Sequence, residues 1–256
     1  MTSARIAILA VLILSMCGAA QATSVTFTGS QGALAASAMF NTSGSNLVAT
    51  LTNTSTADCL APADLLGAVF FDIMGSPTLT RGSAVLASGS HIYQNGAPVA
   101  DPADGVVGGN WAYNERISGA PNSAGYGISS TGLDVFGPHD VFPGTNLGGE
   151  TTPPAGMAYN LLSAGDNPST GNSPLLTRPF IWDSVVFTLG GLPSTFDLDD
   201  ISNVYFQYGT SLCPEEPGFE GEPPVPPPGV IPEPITAAGL FAGIGALAAY
   251  TRRRRS

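Results

Sequence analysis

The stretch GAVFFDI at residues 67–73 is an apolar run that only Asp72 interrupts. A run of this length is more typical of a fully buried strand than of a helix, which needs about ten residues or more. Residues 79–86 have the same character. We therefore predict buried strands in both places.

Around this run, a two-residue period indicates strands that turn one face to a core. Residues 35–40 and 47–53 flank the turn-forming sequence TSGS at 42–45, which predicts a hairpin, and alternate residues of its second arm are apolar. The other alternating segments are residues 24–28, 184–189 and 201–208. No segment between residues 23 and 229 shows convincing helical periodicity. We predict an all-β, β-sandwich-like ectodomain with long Gly/Pro-rich loops.

Residues 89–179 are dense in Gly, Pro, Asn and Ser. A loop-rich region of this length is either partly disordered or a set of long loops packed over a sheet. Aromatic residues scattered through it favour packing. They are Trp111, Tyr113, Tyr126, Phe136, Phe142 and Tyr159.

The C-terminal residues carry a three-part signal. Pro232, Glu233 and Pro234 precede an uncharged run at residues 235–250, and Arg252, Arg253, Arg254 and Arg255 follow it. A helix that crosses a bilayer needs about 20 apolar residues, so this run predicts a short, weakly hydrophobic transmembrane helix. The arginines belong on the cytoplasmic side of the membrane, which places the preceding chain on the far side.

This order of features resembles the PEP-CTERM tail of Gram-negative surface proteins, which is also named after ice-binding proteins that carry it. The resemblance implies that exosortase, a membrane-embedded cysteine transpeptidase, cuts the precursor near Pro232 to Pro234. It implies an inner-membrane precursor and a mature protein at the cell surface or in the extracellular matrix. We draw no ice-binding inference, because the chain has no regular Thr-x-Thr ladder. The alternative is an ordinary stop-transfer anchor.

The N-terminus has the organisation of a signal peptide. Arg5 precedes the apolar residues 6–16, and Ala20-Gln21-Ala22 supplies small residues for a cleavage site. We predict cleavage after Ala22. Lipidation of Cys17 is the alternative, but the residue before a lipidated cysteine should be small and Met16 is not.

These signals divide the chain into four parts. They are a signal peptide at 1–22, a β-rich ectodomain at 23–213, a Pro/Glu-rich linker at 214–229 and a sorting region at 230–256. The linker composition predicts an extended polyproline II spacer.

Three stretches of the ectodomain resemble a domain that recurs among PEP-CTERM proteins. They are GNWAYN at 109–114, GISSTGLDVFGP at 127–138 and DDISNVYFQYGTSL at 199–212. The resemblance implies a surface protein, and it carries no established catalytic residues.

The charge balance excludes one class of partner. Residues 23–231 contain three arginines, no lysine and 18 carboxylates, a net charge near −15 with the histidines neutral. Such a surface repels nucleic acid and anionic lipid headgroups, and it favours solubility. We therefore exclude a nucleic acid-binding role.

Two cysteines, Cys59 and Cys213, remain after the signal peptide is removed. Exported proteins mature in an oxidising compartment, which favours disulfides. We therefore predict an intramolecular disulfide between these two residues.

No arrangement of residues indicates catalysis. His91 and His139 lack the spacing of metal ligands, and no Gly-x-Ser-x-Gly motif is present. The run that contains Asp197, Asp199 and Asp200 is a weak Ca²⁺ candidate, although a solvated turn that caps a strand explains it better. We predict no catalytic residue and no cofactor.

Two functions remain open. The first is a non-enzymatic surface or matrix protein that associates with extracellular polysaccharide. The second is an exported carbohydrate-active hydrolase, held by a plain transmembrane helix and using carboxylates such as Asp134 or Asp140. We prefer the surface or matrix protein, because it explains the order of signal peptide, ectodomain, linker and sorting region without requiring catalytic residues.

Overall fold

The computed structural model describes residues 24–136, 146–148 and 156–224. The predicted signal peptide with Ala20 and Ala22 lies outside these residues. So do the Pro-Glu-Pro motif, the predicted transmembrane helix, the terminal arginines, His139 and Asp140. Those assignments stay predictions.

Strands dominate the described residues, which confirms the predicted all-β class. The single α-helix there is one turn at Ser173–Leu176, and no described helix has the length and apolar character needed to span a membrane. In chain order the strands are β1 (Ser24–Gln31), β2 (Leu34–Ser43), β3 (Asn46–Asn53), β4 (Leu66–Ile73), β5 (Thr80–Leu86), β6 (His91–Gln94), β7 (Ala97–Pro98), β8 (Ala112–Glu115), β9 (Tyr126–Ser129), β10 (Leu161–Leu162), β11 (Phe180–Trp182), β12 (Ser184–Gly190), β13 (Ile201–Tyr208) and β14 (Gly218–Glu220).

The first sheet has five antiparallel strands in the order β1-β2-β3-β12-β5. The predicted hairpin is confirmed, because β2 and β3 pair up to Ser43 opposite Asn46. Gly44 makes the turn with a φ of 62°, a value that glycine adopts at little cost. The predicted alternation is also confirmed, since Leu47, Ala49 and Leu51 are all buried.

The second sheet has nine strands, and β4 lies within it. Its main order is β14-β13-β4-β10-β11-β6-β7, and β9 also pairs with β4 and carries β8. Strand β4 pairs with β13 along one edge and with β9 and β10 along the other. All its residues except Asp72 are buried. The continuous apolar run at residues 67–73 is therefore the buried strand that the sequence predicts.

The two sheets face each other across one hydrophobic core. The ring centroids of Phe40 in β2 and Phe71 in β4 lie 5.2 Å apart, and those of Trp111 and Phe187 lie 4.9 Å apart. Removal of these rings from water is the main term that holds the sheets together. Two facing sheets around one core, antiparallel except where β10 pairs in parallel with β11, fit a β-sandwich.

Loops from residues 89–179 cover the outer face of the nine-stranded sheet. Side chains of these loops pack with strand residues in two smaller apolar clusters. One cluster contains Phe70 and Phe136, and the other contains Leu162 and Phe180. Most of the aromatic residues that suggested packing are buried, namely Trp111, Tyr113, Tyr126 and Phe136, and Tyr159 is partly buried. Phe142 lies outside the described residues. The region is therefore packed, and it also contributes strands β6 to β10, which its composition does not predict.

The prediction that residues 214–229 form an extended linker is wrong for the part that reaches Glu222. Strand β14 pairs with β13. Phe219 is buried, and its ring centroid lies 5.8 Å from that of Phe206. The Thr28 N–H donates to the Glu222 carbonyl at 3.0 Å, and the Glu222 N–H donates to the Thr28 carbonyl at 2.8 Å. The ectodomain therefore extends past β14, and its last residues bond to the first strand of the other sheet.

A buried polar network connects the sheets. The Tyr208 hydroxyl donates to the Ala35 carbonyl at 2.8 Å and lies 3.1 Å from Asn53 Oδ1. Asn53 Nδ2 donates to the Leu161 carbonyl at 2.9 Å, and Asn53 Oδ1 accepts from the Ser55 N–H at 3.2 Å. Because Asn53 and Tyr208 are both fully buried, these bonds satisfy groups that have no access to water.

Candidate functional site

Within the part of the chain that the structure describes, no apolar cluster covers the outer face of the five-stranded sheet, unlike that of the nine-stranded sheet. None of the core clusters of the described residues includes a side chain that points outward from these five strands. Met39, which points outward from β2, is 36% exposed although it is a large apolar residue. We call this surface the bare face.

Strand register places the outward side chains of the bare face in rows that run across the strands. The central row consists of Thr26, Met39, Thr50, Val186 and Val85. The rows on either side of it are Ser24, Asn41, Val48, Thr188 and Ser83, and Thr28, Ser37 and Thr52. Neighbouring strands lie about 4.8 Å apart, so five strands make a face roughly 20 Å wide.

The bare face carries no charged side chain. Its five strands contain no carboxylate, and their one charged residue is Arg81. Gly82 is the extra residue of a β-bulge opposite Thr188, and a bulge re-aims its neighbours. Arg81 Nε accordingly lies 3.5 Å from the Tyr113 carbonyl of the other sheet, to which it donates. The bare face is thus neutral within a domain whose charge is strongly negative.

The carboxylates suggested as a calcium site cap a helix instead. Asp197 Oδ1 accepts from the Asp199 N–H at 3.1 Å, and Asp200 Oδ2 accepts from the Asp197 N–H at 3.0 Å. These bonds hold the 3₁₀ turn Leu198–Asp200 that leads into β13. Within the described ranges, no group of three or more His, Cys, Asp or Glu side chains is arranged to hold a metal ion. Capping of the 3₁₀ turn therefore accounts for Asp197 and Asp200, and nothing in the described residues supports a calcium site here.

The predicted disulfide is not formed, because Cys59 and Cys213 are both free thiols. Cys59 is buried in the apolar cluster with Leu162 and Phe180, and its thiol donates to the Asp64 carbonyl at 3.4 Å. Cys213 is partly exposed in the loop that follows β13. The prediction failed because a cysteine count and an oxidising compartment say nothing about which side chains lie near each sulfur.

The two thiols should differ in reactivity. Burial, assisted by the negative charges of Asp166, Asp64 and Asp58, raises the pKa of the Cys59 thiol to about 12. Because the thiolate is the reactive form, we expect an aromatic disulfide reagent at pH 8 to modify Cys213 quickly and Cys59 only after unfolding. Titration of protein that lacks the predicted signal peptide, and with it Cys17, should count one thiol in the native state and two in urea.

A pH series provides the control for this prediction. In the Cys213→Ser variant, modification of native Cys59 should become faster as pH rises toward 11, because thiolate accumulates as pH approaches the raised pKa. Two thiols of equal native reactivity, or a linked peptide pair in the mass spectrum, would contradict the assignment.

Of the remaining candidate residues, the structure describes His91 and Asp134. His91 is exposed, and its Nδ1 lies 2.9 Å from Asp101 Oδ2, a hydrogen bond that lowers the pKa of the Asp101 carboxyl. Asp134 is exposed in a loop over the nine-stranded sheet. Its suggested companion Asp140 lies outside the described residues.

Comparison of the chain with known protein families, with curated proteins and with solved structures found no match. Sequence reasoning missed the bare face, although part of its signal was present: β1 has Ser or Thr at alternate positions, β3 and β12 have two such residues each on the same face, and none of these strands contains a charge.

Proposed function

We propose that this protein is an exported, non-enzymatic protein of the cell surface or extracellular matrix that associates with exopolysaccharide. The observation that carries the proposal is the bare face, a broad neutral surface in an otherwise acidic domain. Its hydroxyl-bearing and small apolar side chains are suited to contact a polymer rather than to perform chemistry. The ectodomain would be a β-sandwich, held by the segment at 235–250 until it is processed.

The C-terminal resemblance supports the route by which the protein leaves the inner membrane. Exosortase would recognise Pro232, Glu233 and Pro234, and Arg252 to Arg255 would keep the segment oriented with the motif at the outer side. The short Gly- and Ala-rich run at 235–250 is better suited to temporary retention than to permanent anchoring.

Replacement of Glu233 by alanine should stop processing without affecting insertion, because the apolar run and its arginines are unchanged. We expect nearly all of the protein to accumulate as full-length precursor in the inner membrane. The measurement is the size and membrane fraction of the protein in cells with and without exosortase.

A variant that lacks Arg252 to Arg255 is the matched control, since it should disturb retention or orientation before any cleavage. A mature surface form that still carries these four arginines would identify a plain anchor and refute the sorting proposal.

A polysaccharide panel tests the proposed activity. The purified protein is incubated with each polymer, and retention is measured separately from the formation of new reducing ends. Retention without new reducing ends is the expected result. New reducing ends that scale with the amount of protein would favour the hydrolase interpretation instead.

A further inference from the structure

We infer that the bare face binds an uncharged polysaccharide, whose chain lies along the central row and crosses the strands. The inference rests on the proposed association with exopolysaccharide. It adds the charge class of the polymer and the residues that contact it.

Charge is the first reason to choose a neutral polymer. The domain has three arginines against 18 carboxylates, so an anionic polymer approaches against a repulsive field. The bare face offers no cation to offset that repulsion, because Arg81 donates to the Tyr113 carbonyl of the other sheet. Salt screens charges beyond about 8 Å at physiological ionic strength, so the middle of a face about 20 Å wide is the part least affected by the surrounding carboxylates. A neutral chain can lie there without an electrostatic cost.

The side chains of the central row fit the two surfaces of a sugar ring. Thr26 and Thr50 present hydroxyls, each of which can donate one hydrogen bond and accept others, as sugar hydroxyls do. Met39 and Val186 present apolar groups that can contact the C–H side of a ring. Because hydrogen-bonded strands hold all these positions, little backbone conformational freedom is lost on binding.

A second copy of the protein is a poorer occupant of the same face. Five strands of about seven residues cover roughly 20 by 25 Å, about 500 Å². A stable protein interface buries about 800 Å² on each partner. Close approach of two copies would also bring two strongly acidic domains together.

Affinity electrophoresis of the full-length protein in a non-ionic detergent tests the inference. The gels contain either a neutral polymer (hydroxyethyl cellulose, galactomannan or dextran) or an anionic one (alginate or polygalacturonate). We expect at least one neutral polymer to retard the protein and neither anionic polymer to do so at low salt.

Variants locate the site. Thr50→Glu and Met39→Glu place a charge in the central row, and each should weaken retention by about tenfold. Ser118→Glu adds the same charge in an exposed loop over the nine-stranded sheet and should leave retention unchanged. Met39→Ala, which changes only a partly exposed side chain, should weaken retention without unfolding the protein. Circular dichroism verifies the fold of each variant.

The possible failures are distinguishable. Retention by alginate alone, or neutral retention that none of the central-row variants reduces, would overturn the inference and leave the association with exopolysaccharide standing. Absence of retention by every polymer would remove both proposals. A dimer in light scattering that Thr50→Glu abolishes would assign the bare face to a second copy and overturn the inference.

Discussion

Replacement of Phe40 by alanine should lower the free energy of unfolding by about 3–5 kcal/mol, the usual cost of deleting a buried aromatic side chain. Phe40 is fully buried, and its ring centroid lies 5.2 Å from that of Phe71 and 6.0 Å from that of Phe27. Because hydrogen bonds on both sides of β2 fix its position, the strand cannot move inward to fill the cavity. Urea unfolding followed by tryptophan fluorescence measures the loss.

Met39 is the matched control, since it is the preceding residue of β2 and points to the opposite face. Met39→Ala should change stability by less than about 0.5 kcal/mol, as exposed substitutions usually do. Equal losses for the two variants would mean that the bare face is covered in solution and would contradict the assignment of core and surface.

Replacement of Asn53 by alanine should lower the free energy of unfolding by roughly 2–4 kcal/mol, because it leaves buried groups without partners. The Leu161 carbonyl loses its 2.9 Å donor, the Ser55 N–H loses its 3.2 Å acceptor, and the Tyr208 hydroxyl loses one neighbour. The loss arises between the two sheets and not within one strand pair. Thermal and urea unfolding should both detect it.

Asn41→Ala is the control for this substitution, because Asn41 points outward from the neighbouring strand. We expect it to be nearly neutral. If Asn53→Ala were equally neutral, the network would be replaceable by water and would not connect the sheets energetically.

The alternating strands could be predicted from the sequence because one face of each is buried. In β3 and β12 every second residue is buried, so apolar residues recur in the sequence with a period of two. The run at 67–73 was recognisable for a different reason: β4 is covered on both faces, so nearly all its residues are apolar.

Strands β8 and β9 could not be predicted, because they are four residues each and lie in a region rich in glycine. Gly127 allows the close approach of Phe70 and Phe136, so it is a packing position and not a turn. Strand β14 was missed because its proline- and glutamate-rich surroundings are typical of a linker. Phe219 was the one sign of a core contact there.

The candidate site was only half accessible from the sequence. The excess of carboxylates over arginines and the lack of a known catalytic motif can both be read from the order of residues alone. The rows of the bare face depend on strand order, since Thr50 and Val186 become neighbours only because β12 pairs with β3. A sequence gives the period within one strand and no information about which distant strand lies beside it.

The bond pair between Thr28 and Glu222 determines how the domain carries mechanical load. A pull on the chain at residue 224 reaches Glu222 first, where two backbone hydrogen bonds pass it to β1 of the five-stranded sheet. Through β14 the same pull reaches β13 in the nine-stranded sheet. Tension applied at residue 224 is therefore shared by both layers at its point of entry.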